Sequence, residues 1–293
     1  VAEQLSGLDL RKLWRACGQE FSPEAWGKIL EDYPVLMRRC EACGFVFFDP
    51  SLAGNAAFYQ QLESPGYFSP VRAEFKRSLR FARGKGLKRI LDVGCGDGIF
   101  LDLARAAGHE TCGLELNEVA ANKARAKGHT IYARLLDQLD RDQTSGGFNL
   151  ISLFQVLEHV PNPVTIIRDA ARLLEPGGYI SVAVPSEEGV YRFSPWDPHQ
   201  WPPHHLSRWR LADLRNLARA AGLSLAHGGR DPLLGTEIEN LWKLHNRLAP
   251  ILGRPTYPGG ALPKLVALAY RKMGVKHLIP HWGSSIYGYL RKP

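Results

Sequence analysis

Residues 90–100 read Ile-Leu-Asp-Val-Gly-Cys-Gly-Asp-Gly-Ile-Phe, and the reading of this stretch decides the fold. Ile90 to Val93 form a continuous apolar run, the character of a strand covered on both faces. Gly94, Gly96 and Gly98 then let the backbone turn tightly against a ligand. A helix follows from Asp97, with Ile99, Phe100, Leu103 and Ala107 on one apolar face and Gly108 as its stop. Strand, glycine turn and helix start make a cradle for a nucleotide-like ligand. The spacing is G-x-G-x-G, which counts against a plain dinucleotide fingerprint. About 20 residues further on, Glu115 closes the apolar segment Thr111 to Leu114, where a carboxylate accepts ribose hydroxyls.

Outward from this stretch, apolar runs alternate with helical patterns between residues 88 and 184, which implies βαβ units and a parallel sheet. Helices are expected from Asn117 to before Gly128, from about Asn162 to Leu174 and from Leu211 to Ala221. Strands are expected at Thr130 to Ala133, Phe148 to Phe154, Tyr179 to Val184, Leu223 to Ala226 and Ser285 to Leu290. Residues 1–85 read as a cap with helical stretches at Ala53 to Leu62 and Pro70 to Arg83. Residues 86–293 read as the main domain, interrupted at about 235–280 by an insertion with helices near Ile238 to Arg247 and Leu262 to Met273.

Two more segments follow the glycine turn in order: Phe148 to Phe154 leading into Gln155-Val156-Leu157-Glu158-His159-Val160, and Leu173-Leu174-Glu175-Pro176-Gly177-Gly178. With them the chain resembles class I S-adenosylmethionine-dependent methyltransferases over roughly residues 88–228. The resemblance implies an α/β, Rossmann-like sheet of seven strands with the last one antiparallel. S-adenosylmethionine is then the cofactor and S-adenosylhomocysteine its product. On that basis Gly94 and Gly96 approach the methionine part, and Asp92 orients the loop or the amino group. Glu115 holds the ribose, Leu116 lies against the adenine, and Arg134 and Leu135 flank its edge. Phe154 and Gln155 end the fourth strand under the reactive centre.

Acceptor residues are expected beyond strands four and five. Between Ser186 and Trp209 the chain concentrates Tyr191, Trp196, His199, Trp201, His204, His205 and Trp209, a set suited to enclosing an organic acceptor and taking its proton. Pro202 to Trp209 also resembles a segment that precedes the penultimate helix in small-molecule methyltransferases. The candidate bases are His205, His204 and His159, with His205 preferred. No metal ligand is assigned at this site. The expected reaction is methylation of a small molecule or saccharide, on oxygen before carbon or nitrogen. Two alternatives are a nucleic-acid methyltransferase and a binding protein without catalysis. Gln155-Val156-Leu157 lacks the Pro-Pro-aromatic element that stacks a flipped base, so no nucleic acid is expected.

Cys40-Glu41-Ala42-Cys43-Gly44 has the form of half a zinc site. Some sugar and natural-product methyltransferases resemble this region but carry four cysteines. Here Cys17 is the only third thiol, because Trp14 stands where the fourth would fall. The expectation is therefore a metal-free remnant held by Trp14, Phe21, Trp26, Phe45 and Phe47. The other two of the five cysteines, Cys95 and Cys112, flank the glycine turn, and the set suits a reduced cytoplasm better than a disulfide framework. The net charge of +8 favours an anionic partner or simply a solvated basic surface. No apolar run reaches bilayer length, and no leader is seen, so a cytoplasmic protein without a transmembrane segment is expected. The insertion is expected to cover the acceptor or to form a homodimer contact.

Overall fold

The computed structural model describes residues 3–62, 72–144, 146–232, 235–258 and 283–293. The chain opens with β1 (Glu3–Ser6) and α1 (Gly7–Ala16). Ser6 caps α1 in a reciprocal pair: its hydroxyl accepts from Asp9 N–H, and the Asp9 carboxylate accepts from Ser6 N–H. Then come β2 (Pro34–Arg39), β3 (Val46–Phe47), α2 (Ala56–Gln61) and α3 (Ala73–Gly84). The alternating part follows as β4 (Arg89–Val93), α4 (Ile99–Ala106), β5 (Glu110–Leu114), α5 (Glu118–Ala126), β6 (Thr130–Tyr132), β7 (Phe148–Phe154), α6 (Pro163–Leu173) and β8 (Leu174–Pro185). The remaining elements are β9 (Ser207–Arg208), α7 (Leu211–Ala220), β10 (Ser224–Arg230), α8 (Gly235–Leu248) and β11 (Ser285–Arg291).

Seven strands make the main sheet in the order β10-β11-β8-β7-β4-β5-β6. All ladders from β8 to β6 are parallel, and β11 runs antiparallel between β10 and β8. This is the α/β sheet expected from the sequence, with its last strand reversed. Alternation along β7 divides the core: Ile151 and Leu153 face the side covered by Ile167, Leu173 and Leu214, while Leu150 and Phe154 face Phe100 and Ala104. A register shift between Phe148 and Leu150 puts Phe148 on the Ile151 face. Asn117 and Asn162 cap α5 and α6, where the sequence placed those helix starts.

Three features extend the sequence reading. β8 begins at Leu174, so the turn through Gly177 is already part of the ladder. The insertion's first helix runs Gly235–Leu248, whereas its second expected helix, Leu262 to Met273, lies outside the described residues. The amino-terminal region holds α1 and a second sheet, β1-β2-β3-β9, in addition to the expected helices. That sheet is closed from far along the chain, by Ser207 and Arg208 pairing with Phe47 and Val46. Its core joins Leu10, Trp14, Phe21 and Phe58 to Trp196, Trp201, Leu206 and Leu248. The cap and the loop beyond β8 thus bury one common apolar cluster.

Candidate active site

At the carboxyl ends of β4 and β5, the glycine turn docks on the strand beside it. Gly94 N–H and Cys95 N–H both donate to the Leu114 carbonyl, at 2.8 and 3.1 Å. Gly94 has φ +72°, which favours glycine, and a Cβ there would lie tightly, 3.0 Å, against Val156 Cγ2. Glu115 holds the turn from the other side: Oε2 accepts from Gly96 N–H at 2.9 Å and Oε1 from Asn117 N–H at 2.8 Å. The carboxylate is thereby fixed against the loop that it serves. Behind the loop Asp92 is buried and accepts from the Ser152 hydroxyl at 2.6 Å. Burial raises Asp92 to about 7, with the Ser152 bond opposing and the Glu115 charge assisting.

The surface of this end carries exposed apolar side chains: Leu116 at 60%, Val119 at 67% and Leu135 at 50%. An isolated exposed leucine needs no explanation, but three flanking one carboxylate at adjacent strand ends suit the flat face of a base. Val119 was not singled out from the sequence, because on its own helix it reads as an ordinary first-turn residue. Arg134 is exposed just beyond β6. Phe154 is buried against Phe75 and Phe100, with ring centroids 5.3 and 4.9 Å away. Gln155 takes φ +55°, and its amide lies 3.3 Å from Glu74 Oε1 and 3.4 Å from Ser285 Oγ, which ties α3 to β11. Glu74 and Ser285 were invisible as site residues in the sequence, since each sits in an unremarkable local pattern.

Cys95 packs under the turn where a Cβ on Gly113 would fall 2.5 Å from its sulfur. Burial pushes the Cys95 thiol far up and the Cys112 thiol to about 12, so both stay protonated packing groups.

Beyond β7 and β8 the three histidines expected from the sequence come together. His159 follows β7, and His204 and His205 come from the loop 45 residues later, yet the three rings meet. Ring centroids are 4.7 Å apart for His159 and His204, 4.8 Å for His159 and His205, and 4.5 Å for the near-parallel pair His204 and His205. One potential ligand nitrogen from each lies within 4.8 Å of the others. His159 Nδ1 is 2.8 Å from the His204 carbonyl oxygen, and His204 Nδ1 is 2.9 Å from that of His199. A carbonyl only accepts, so both Nδ1 atoms carry hydrogen and both Nε2 atoms carry the lone pair.

Burial draws His159 down to about 4, and burial followed by the neighbouring rings takes His204 and His205 well below the ordinary imidazole value. All three rings are neutral near pH 7. Glu158 is 1% exposed beside them, with Oε1 3.9 Å from His159 Nε2, and burial raises its carboxyl to about 8. Neither Glu158 oxygen nor His205 Nδ1 has a hydrogen-bonding partner among the described residues. Trp14 closes the cluster from the cap, 4.5 Å from the His199 ring and 6.1 Å from that of His204.

The cysteines of the cap divide. Cys40 and Cys43 share one tight turn, with Gly44 N–H donating to the Cys40 carbonyl, whereas Cys17 ends α1 beside Asp197 and Arg247. Among the described residues the three thiols form no common metal-sized cluster.

The family model described as a methyltransferase domain matches residues 67–227, more than half of the chain. The chain belongs to the methyltransferase-domain family. It is 28% identical over 179 residues to a ubiquinone biosynthesis O-methyltransferase of Methylococcus capsulatus, covering 54% of this chain and 71% of that one. It is 30% identical over 154 residues to the enzyme of that name from Bordetella bronchiseptica, covering 46% and 62%. Among solved structures, the S-adenosylmethionine-dependent methyltransferase from Mesorhizobium loti superimposes with a TM-score of 0.47 at 18% identity, over 75% of this chain and 98% of that one.

Proposed function

We propose that this protein transfers the methyl group of S-adenosylmethionine to a hydroxyl oxygen of a small organic molecule. The observation that carries the reading is the Glu115 carboxylate, clamped between Gly96 N–H and Asn117 N–H at the carboxyl ends of the adjacent parallel strands β4 and β5. Exposed Leu116, Val119 and Leu135 beside it offer a face to adenine, and Gly94 and Gly96 leave room for the methionine part. Asp92 stiffens the loop from beneath, Arg134 borders the adenine edge, and Phe154 and Gln155 form the floor of the transfer site. The relatives named as ubiquinone biosynthesis O-methyltransferases support oxygen as the acceptor atom and a small molecule as the acceptor.

The sulfonium already makes the methyl carbon electrophilic, so the chain must align a nucleophile and take one proton. The imidazole cluster supplies neutral bases, and His205, whose Nδ1 lacks a partner among the described residues, is the proposed proton acceptor. Its depressed basicity moves the acid limb of activity below the ordinary imidazole value. The helix α8 packs on the turn Val190–Phe193 that bears Tyr191, which supports a covering role for the insertion. A saccharide acceptor, an anionic acceptor and a homodimer contact through residues 235–280 remain part of this proposal. So does a cytoplasmic setting, supported by five free cysteines. No described helix is long and apolar enough to cross a membrane.

Calorimetry with S-adenosylmethionine and S-adenosylhomocysteine, followed by labelled-methyl transfer to a panel of phenols, catechols and saccharides, tests the reading. Binding of both ligands and transfer to oxygen are expected. His205→Gln should lower turnover by about 10² to 10⁴ with cofactor affinity intact. Absence of cofactor binding would overturn the proposal.

A further inference from the structure

The three histidines satisfy a requirement that a proton acceptor alone does not impose. A single base needs one basic nitrogen near the acceptor. Here three rings pack together, His159 edge-on to a near-parallel His204 and His205 pair, with His204 and His205 buried and His159 half-buried. Two of the rings have Nδ1–H anchored on backbone carbonyls, the His204 carbonyl for His159 and the His199 carbonyl for His204. That is the outer-shell arrangement that fixes a ligating histidine's tautomer and aims Nε2 at an ion. Beside them sits a fully buried carboxylate, Glu158, both of whose oxygens lack a partner among the described residues.

We infer that His159, His204 and His205, with the Glu158 carboxyl beside them as a further oxygen donor, bind one divalent transition-metal ion of the zinc class. The potential ligand nitrogens lie within 4.8 Å of one another, close enough for side-chain adjustment to bring them onto a common ion. Imidazole suits Zn²⁺, Co²⁺ and their neighbours, whereas Mg²⁺ and Ca²⁺ prefer oxygen. Three imidazoles leave a tetrahedral ion one further position, for Glu158, water or an acceptor oxygen. Loading the ion would turn His205 from proton acceptor into ligand, and an acceptor hydroxyl at the open position would be acidified by the ion and give its proton to water before transfer. The inference deepens the methyl-transfer reading at the same site and rests on it for its purpose, but the ion's binding can be measured without cofactor or acceptor.

The test uses the full chain, stripped with a chelator, with Cys40→Ser and Cys43→Ser introduced to remove the competing thiol pair. Co²⁺ titration followed by visible absorption should saturate at one equivalent with the spectrum of a four-coordinate ion lacking thiolate charge transfer. X-ray absorption of the Zn²⁺ form should show a nitrogen and oxygen shell at about 2.0–2.1 Å with imidazole scattering and no sulfur. His159→Gln and His205→Gln should each weaken Co²⁺ binding by about tenfold or more. If a variant fails to fold, the absorption measurement on the parent decides by itself. No saturable binding, a shell without imidazole, or unchanged affinity in both folded variants would overturn the site. Any of these results would leave binding of S-adenosylmethionine and methyl transfer by a free imidazole standing, and loss of transfer with intact Co²⁺ binding would overturn only the methyl-transfer reading.

Discussion

The two ends of the site are built by opposite means. At the proposed cofactor end, backbone N–H groups, one fixed carboxylate and exposed apolar side chains come from the ends of strands adjacent in the sheet and from residues within about forty positions of one another. At the proposed acceptor end, side chains from the segment after β7, from the loop beyond β8 and from the amino-terminal helix converge in one cluster. The first is a scaffold waiting for a ligand. The second depends on the whole molecule packing correctly. Damage to the cap should therefore reach the acceptor and spare the cofactor, whereas changes at the glycine turn should do the reverse.

The largest expected effect comes from Trp14, which is fully buried between Phe21, Phe58 and the rings of His199 and His204. Trp14→Ala should cost about 3–5 kcal/mol of stability, read by thermal or denaturant unfolding. In the folded fraction turnover should fall while S-adenosylmethionine affinity holds. Equal loss of cofactor affinity would break the contrast between the two ends.

Next is Asp92. Burial raises it from 3.8 to about 7, so its contribution to stability is fully present below about pH 4 and is lost as pH rises through 7, where the folded state must keep an ionised carboxylate buried. Asp92→Asn should leave stability near pH 3.5 almost unchanged and raise that of the cofactor-free protein at pH 8 by up to about 4 kcal/mol. Denaturant titrations at the two pH values measure this. A variant less stable at pH 8 would mean that Asp92 anchors the loop as an anion.

Glu115→Ala removes the clamp on Gly96 and the proposed ribose acceptor together. A bond to a charged group is worth about 1.5–3 kcal/mol, so cofactor affinity should drop by roughly 10- to 150-fold in calorimetry. Unchanged affinity would remove Glu115 from the cofactor site. The smallest effect is expected for Leu116→Ala, about 1 kcal/mol of cofactor binding, because the exposed side chain gains cover only when the adenine arrives. No change there would move the adenine face to Val119 or Leu135.

Legibility follows the same division. The sheet could be read because each strand carries its own signal: Ile90 to Val93 and Phe148 to Phe154 are apolar runs, and Asn117, Asn162 and Gly222 punctuate helices. The small sheet could not, because β3 and β9 are two residues each, too short for any period, and their pairing joins Val46 and Phe47 to Arg208 and Ser207 across some 160 residues. The histidines were legible as candidates from their density. Their meeting with His159, the orientation of their rings and the burial that keeps them neutral were not. Glu74 and Ser285, the partners of Gln155, escaped for the same reason.

What the sequence by itself determined is the order of strands and helices in the main sheet, the glycine turn and the carboxylate that closes it. These rest on local chemistry: hydrophobic period, capping side chains and positive-φ glycines act within a few residues of where they are written. Only the tertiary structure decided that the amino-terminal cap shares one core with the loop beyond β8, and that His159, His204, His205 and Glu158 form one cluster. Those outcomes depend on which distant surfaces exclude water together, and burial, which sets both the packing of Trp14 and the neutrality of the imidazoles, is a property of the assembled fold.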